Sequence, residues 1–493
     1  MKKRNKGIAV VASSILAISL SSLNLQASAQ APAKTYLIAY KQSSLPKTYQ
    51  QDINKAGGEV INAIPEIGGL EVRSSNPNFL SNLKSNSSIS AANVEMRYKL
   101  DDEQPAKADG QPVTLTPDKD GTFWSSQWDI RHLTNEGKSF KIESGGTATN
   151  GKVTHKAIVG VIDTGIDANH PDLKANYVGG QSFVPKGGYN GDDTSETGDK
   201  TDVLDREGHG THVAGSIAGN GKIKGVGPDL GIRAYRIFDS SGSAPTAPIV
   251  SAMIQAAKDK VDVVNMSIGG YDNLKYQFDG TSYSDIADVL LWKRAIKYAV
   301  QNNVTLVASA GNEELNYADK KSLTDYLNVN YGDTNLVFKG VTIETPGGLP
   351  GVITVSSSNS WSKDQLAFYS NYGNSFITVA APGGDNGPKY AASGDLNDRD
   401  FTYRALSTWP TYLEPYFTTI DPEHPGYAYL HGTSMASPKV AGIAGLIKAA
   451  HPDYKPAQVE ALIEKTALDY GKPGYDAYFG SGEANAYTAV TGK

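Results

Sequence analysis

Cysteine is absent from all 493 residues. A disulfide framework, a thiol nucleophile and a cysteine-ligated zinc site are therefore excluded. Basic charge is not in excess: the net charge is −6, which argues against a nucleic-acid partner. Long apolar runs are missing after the N-terminal one, GIAVVASSILAISL, which is itself short for a bilayer span. No internal repeat is present, and no GxGxxG follows a strand-like stretch. What remains is 39% hydrophobic and 20% charged residues, a composition that suits a globular chain with a sizeable core. At roughly 100–200 residues per domain the length allows two to four domains.

The apolar run follows Lys2, Lys3, Arg4 and Lys6 and precedes a small-residue ASA site at Ala27–Ala29. That order reads as a signal peptide over residues 1–29. The expectation is a secreted, extracellular product with no membrane attachment once the signal is removed.

Next comes a small unit, residues 30–100. TYLIAY reads as a strand, Leu45–Ala56 as a helix, GEVINAI and GLEVRSS as a strand pair, Asn76–Ser85 as a second helix and SISAANVEM as a last strand. The β-α-β-β-α-β order predicts a ferredoxin-like α+β domain. Composition turns polar over 97–122, with DDEQPAKADGQP at its centre, and residues 101–123 are assigned as a cuttable linker holding the processing region.

From 124 to 493, apolar strands alternate with helical stretches. The strands are AIVGVID, GIRAYRIF, VDVVNMSIG, TLVASAGN, VITVSSS and FITVAAPG; the helices fall at 210–219, 247–260 and 283–303. Buried strands separated by helices predict a three-layer, doubly wound, mainly parallel α/β sheet. Ligand sites in such sheets gather beyond the carboxyl ends of the strands. Asp163, Ser267 and Asn312 stand at those ends.

The stretch HGTSMASPKVAGIAGLIKAA (His431–Ala450) predicts a mostly buried helix, with Val440, Ile443, Ala444 and Ile447 at helical spacing. Ser434 sits at its start, after a glycine that frees the turn. A serine there caps helices in many proteins, but helix-end amides also favour developing negative charge beside its hydroxyl. Three segments favour the second role. Asp163 in VIDTGID offers a carboxylate to orient an imidazole, His209 and His212 open a helix in EGHGTHVAG, and Asn312 in SAGNE offers an amide donor. A nucleophile, a base, an orienting acid and an oxyanion donor form a working set for acyl transfer.

VIDTGID, HGTHVAGSIAG and HGTSMASPKVAG, in that order, resemble the signature blocks of the subtilisin-like serine proteases, and HPDL, NMSIGG and ASAGN match further family segments. The resemblance spans about residues 124–490. It implies a secreted serine endopeptidase with Asp163 as orienting acid, His209 as general base, Ser434 as nucleophile and Asn312 as oxyanion donor. His212 would be structural. It also implies a peptide or protein substrate laid between Gly242, Ser243, Ala244 on one side and Ser267, Ile268, Gly269 on the other, with Glu313 bordering the primary specificity pocket. The leading unit resembles the family's inhibitory propeptide, removed by self-cleavage, and a monomer is expected.

The chemistry needs no cofactor on this reading. A structural calcium is left open: AGNGKIKGVGP is shorter than the family's calcium loop, and the acidic stretch 191–207 could bind a cation but reads better as a solvated loop. Insertions at Glu314–Glu344 and Pro388–Leu430, together with AFYSNYGNSFITVAAPGG, resemble the lantibiotic leader peptidases, which offers leader removal as an alternative to a broad extracellular protease. Glu313 and Glu344 together would favour Arg or Lys at the cleaved residue. Two rival readings fit these residues less well. A zinc hydrolase lacks HExxH and a third ligand, and an inactive scaffold would be expected to have lost one of the four residues, all of which are present.

Overall fold

The computed structural model describes residues 33–100, 115–149, 152–413 and 424–492. The signal-like segment 1–29 and most of the expected processing region lie outside them.

The leading unit contains β1 (Lys34–Tyr40), α1 (Tyr49–Ala56), β2 (Glu59–Ile64), β3 (Gly69–Ser74), α2 (Phe79–Leu83) and β4 (Ile89–Val94). Its sheet runs β2-β3-β1-β4 and is antiparallel throughout. Both helices start later than the periodicity predicts. Leu45 precedes Pro46 and Asn76 precedes Pro77, and a residue before proline is driven out of the helical region. Asn76 instead accepts the Asn78 amide in a side-chain turn, 3.0 Å. Alternation along β1 gives the sheet two apolar faces. Ile38 and Tyr40 pack with α1 and α2, while Leu37 and Ala39 pack into the main body against Leu291.

Residues Arg97–Lys99 form a further strand, β5. This corrects the expectation of linker beyond residue 97: Tyr98 is buried, and β5 is paired rather than solvated.

The main body holds β6 (Ile158–Asp163), β7 (Tyr177–Ser182), α3 (His209–Ala218), β8 (Gly231–Arg236), β9 (Ser243–Pro245), α4 (Thr246–Lys258), β10 (Val263–Met266), β11 (Gly270–Asn273), α5 (Ile286–Gln301), β12 (Thr305–Ser309), β13 (Thr342–Thr345), β14 (Val352–Ser358), β15 (Val379–Pro382) and α6 (Thr433–Ala450). Seven strands form one sheet in the order β15-β14-β12-β10-β6-β8-β7, all neighbours parallel. The edge strand β7, sequence YVGGQS, was not anticipated, because two glycines and little apolar surface hide it from pattern reading. Alternate residues feed opposite layers. Val161, Val263 and Val307 join α3 and α6, whereas Ile162, Val264 and Leu306 join α4 and α5. Strand order reverses beside β6, between β8 on one side and β10 on the other, so the ends of β6 and β10 flank the switch point where such sheets bind ligands.

The leading unit caps both outer helices. Glu95 accepts the Ala247 amide at 2.7 Å in the first turn of α4, and Asn93 accepts the Ala287 amide at 2.7 Å in the first turn of α5. Asp288 in turn accepts the Met96 amide at 3.1 Å and the Thr246 hydroxyl at 2.6 Å. Glu71 and Glu95 are buried beside one another in this interface. Burial pushes Glu71 up to about 7, against the pull of Arg73 and Arg97, and pushes Asp288 up to about 6; Glu95 is driven up as well, by burial and then by Glu71. Acids raised in the docked state add stability that is complete below their unfolded pKa and is lost as pH rises through the docked values. Docking of the leading unit should therefore weaken between about pH 5 and pH 8. Calorimetry of the full Ser434→Ala chain should show the leading unit unfolding separately and earlier at pH 8.5 than at pH 5, and identical traces would refute the linkage.

Candidate active site

β6 delivers Asp163 at its carboxyl end, fully buried. Its Oδ1 accepts the Thr164 amide at 2.7 Å and sits 2.8 Å from His209 Nδ1. With Nδ1 as donor to the carboxylate, Nε2 is the nitrogen able to take a proton. His209 is the first residue of α3, whose N-cap Gly208 has φ 95°. A Cβ there would lie 2.3 Å from the Trp409 ring, so only glycine fits.

α3 packs against α6, whose first turn carries Ser434. Gly432 precedes the helix at φ 151°, a conformation that L side chains rarely adopt. A capping serine would accept an amide hydrogen. Ser434 instead donates from Oγ to the Ser267 carbonyl at 3.2 Å, while the Ser267 hydroxyl donates to the Ser434 carbonyl at 2.8 Å. The two segments are thus cross-braced, and the Ser434 hydroxyl is presented at the switch point. Asn312, just after β12, accepts at Oδ1 from the Thr433 amide and hydroxyl, both 2.9 Å. That orients its Nδ2 donors.

His212 does something else. Its Nε2 lies 3.1 Å from the Ala428 carbonyl and 3.3 Å from that of Ala405, both acceptors, so this nitrogen carries a hydrogen. Burial, with Lys439 nearby, drives its pKa down to about 3. A neutral imidazole committed to two carbonyls is a packing element, not half of a two-histidine metal site. Among the described residues no cluster of three His, Asp or Glu side chains is arranged to hold a metal.

The acidic stretch 191–207 is engaged by protein donors. Arg236, buried, pairs with Glu196; Asp202 takes Arg206 at 2.8 Å; Asp205 takes the Gly208 and Thr211 amides at 2.7 and 2.8 Å. The last two bonds tie the loop to the start of α3, beneath His209.

β9 pairs antiparallel with β5, Ser243 opposite Lys99, Ala244 opposite Tyr98 and Pro245 opposite Arg97, and the Leu100 amide donates to Gly242 at 3.0 Å. The chain's own tail therefore lies along one expected wall of the groove as an added strand. Among the described residues no strand pairing joins β5 to Ser267, Ile268 or Gly269; contact there runs through the Tyr98 ring, close against Gly270.

Two carboxylates stand behind Gly269 and Gly311. Glu344, on β13, is 1% exposed. Its Oε2 accepts the Gly348 amide at 2.6 Å, but Oε1 has no hydrogen-bond partner and lies 2.9 Å from where a Gly269 Cβ would stand. Glu313 accepts from the Tyr271 hydroxyl and the Asn371 amide, both 2.6 Å, and stands 2.8 Å from where a Gly311 Cβ would be. Burial, reinforced by Glu313, pushes Glu344 well above the usual carboxylate range.

Lys439 was not singled out as functional in the sequence, yet it anchors α6. Its ammonium is fully buried, 2.8 Å from Asp129 Oδ2 and bonded to the Met435 carbonyl at 2.9 Å. Lys439→Met leaves a buried carboxylate unpaired and should cost about 3–5 kcal/mol, whereas pairing it with Asp129→Leu should restore most of that. Chemical denaturation of the three variants checks this, with equal losses in single and double variants as the contrary result.

The family model described as "Subtilase family" (Peptidase_S8) matches residues 154–482. The chain is 29% identical over 450 residues to the epidermin leader peptide-processing serine protease EpiP of Staphylococcus epidermidis, covering 90% of each chain. It is 31% identical over 345 residues to the nisin leader peptide-processing serine protease NisP of Lactococcus lactis subsp. lactis, covering 69% of this chain and 46% of that one. Among solved structures, EpiP from Staphylococcus aureus superposes with a TM-score of 0.73 at 26% identity, over 94% of this chain and 98% of that one.

Proposed function

The chain belongs to the subtilase family and is a subtilisin-like serine peptidase, and from that premise we propose that it cuts peptide bonds through Asp163, His209 and Ser434. The observation that carries this is the 2.8 Å Asp163–His209 pair beside a helix-end serine whose hydroxyl is turned away from capping. Ser434 Oγ attacks the scissile carbonyl as His209 Nε2 accepts its proton. Asp163 holds the tautomer and stabilises the imidazolium that forms. The Asn312 amide and the Ser434 N–H donate to the oxyanion. His209 then protonates the leaving amine, and water, activated by the same imidazole, releases the acyl group.

In the same proposal the leading unit is an inhibitor that the enzyme removes from itself, and the product is secreted, monomeric and free of any cofactor in the chemistry. β5 lying along β9 supports inhibition, because it fills ground a substrate would need. Comparing intact masses of secreted wild type and Ser434→Ala tests this. The wild type should lack the leading unit and the variant retain it in one chain; equal masses would end the self-maturation reading. Asn312→Leu should lower kcat by about 10²–10³ with little change in KM.

For the substrate we propose a leader peptide ending in Arg or Lys. Similarity over 90% of both chains to a leader peptide-processing protease supports the role, and the Glu344–Glu313 pair supports the residue. A cation beside the pair would favour ionised Glu344, so binding releases a proton and tightens as pH rises. Arg substrates should therefore gain kcat/KM with pH beyond the gain seen for Leu substrates, and Glu344→Gln should remove that extra limb. The same change should cut the Arg/Leu preference roughly 10–100-fold, the size of a charged hydrogen bond. A wild-type preference for large apolar residues would refute the assignment. A dedicated leader peptidase should also cut one bond in a leader–core precursor while leaving casein nearly intact.

A further inference from the structure

Pro438 lies inside α6, four residues after Ser434. A helical carbonyl ordinarily accepts from the amide four residues on, and proline has no N–H to give. The Ser434 carbonyl therefore needs a donor from outside the helix. The Ser267 hydroxyl supplies it at 2.8 Å. At the other end of the same peptide, the Met435 amide donates to the Gly432 carbonyl at 2.9 Å. The peptide leaving Ser434 is thus held on both sides, and its plane sets the direction in which the Ser434 side chain projects.

The Ser267 hydroxyl is itself held. Asn265 Nδ2 donates to it at 2.9 Å, and Ser437 Oγ lies 3.0 Å away. A serine hydroxyl has one hydrogen and two lone pairs. The hydrogen goes to Ser434, so Ser437 is the donor in its own contact, and Asn265 must turn its NH2 rather than its oxygen to Ser267. Both lone pairs and the hydrogen are then committed, which fixes the hydroxyl rotor.

Asn265 is a costly residue where it stands. It is fully buried on β10, paired with Val161 and Val307. Val263, two residues earlier, faces the same α3 and α6 layer. The Asn265 Oδ1 has no hydrogen-bond partner. A buried amide oxygen left unpaired costs stability, so packing alone would favour leucine here. The bond to Ser267 is what the asparagine contributes.

We propose that Asn265 and Ser437 are positioning residues for peptide-bond cleavage: together they lock the Ser267 hydroxyl onto the Ser434 carbonyl, and so hold the nucleophile in place where Pro438 removes the helix's own bond. This rests on the peptidase reading above. Both residues are fully buried and act through Ser267. Freed from them, the Ser267 hydroxyl can rotate away, and the turn carrying Ser434 loosens. A nucleophile slightly out of line slows the chemical step without weakening substrate binding.

The test compares wild type, Asn265→Leu, Ser437→Ala, Ser267→Ala and the two double variants with Ser267→Ala, each matured from the full chain. Active sites are counted by a serine-directed fluorophosphonate taken to complete labelling, and cleavage is followed on whichever Arg or Leu peptide the wild type accepts. Asn265→Leu and Ser437→Ala should each lower kcat per labelled site by about 3–10-fold, with KM held within about twofold. Asn265→Leu should melt no earlier than wild type, since it removes the unpaired oxygen; a merely structural asparagine would give the reverse, lower stability with kcat per site unchanged. In the Ser267→Ala background neither change should lower kcat further, because the hydroxyl they act through is gone. Ser437→Ala, favourable in a helix, carries the same comparison should Asn265→Leu fail to fold. Unchanged kcat in the single variants, or losses that add in full to that of Ser267→Ala, overturns the positioning role and leaves the peptidase reading intact. A wild type that neither labels nor cleaves overturns both.

Discussion

The first turn of α6 is the constraint on which the rest depends. The helix is buried along nearly its whole length beneath the sheet, so its N-terminus cannot be moved without moving the core. Its lysines show how strictly this is enforced. Lys439 is held by Asp129, and Lys448 donates to the carbonyls of Pro452 and Tyr454 at 2.8 and 3.0 Å. Both charges are satisfied inside the fold rather than released to water, because a buried ammonium without partners would cost several kcal/mol. Ser434 inherits that rigidity. Ser267, Thr433 and Asn312 then lock the surrounding loops to it through short hydrogen bonds.

Carboxylates are used in contrasting ways. Asp163 sits among donors and faces an imidazole. Asp205 fastens the loop under the start of α3 through amides, and Glu196 ties it to Arg236 and the Ser240 amide. Glu344 is buried with one oxygen unpartnered, and Glu71, Glu95 and Asp288 are packed at a domain interface. Burial resists ionisation, so Glu344, Glu71, Glu95 and Asp288 are all pushed above the usual carboxylate range.

The groove is contested ground. β5 takes the backbone hydrogen bonds of β9, and its Tyr98 hydroxyl accepts the Trp292 indole N–H. On the proposed reading, a segment joined to its own enzyme is present at high effective concentration, so strand pairing along β9 and one buried tyrosine would hold that wall of the groove.

The periodicity of six apolar strands and three helices was legible in the sequence, since buried parallel strands are continuous hydrophobic runs. That Asp163 closes β6, Asn312 follows β12, and His209 and Ser434 stand in the first turns of α3 and α6 was likewise legible, because each of these elements has a sequence that announces its end. The β7 strand, rich in glycine, was not. Nor was the placement of 97–100: Arg-Tyr-Lys-Leu beside a polar run reads as linker, and only pairing with a strand about 150 residues away makes it β5. Glu344 and Tyr98 illustrate the same limit. The sequence by itself determined which residues end which strands, because that depends on local patterning. Only the tertiary structure decided that a glutamate from β13 stands behind Gly269, or that the Trp292 indole donates to the Tyr98 hydroxyl. Those contacts join segments distant in sequence, and no local pattern encodes the distance between them.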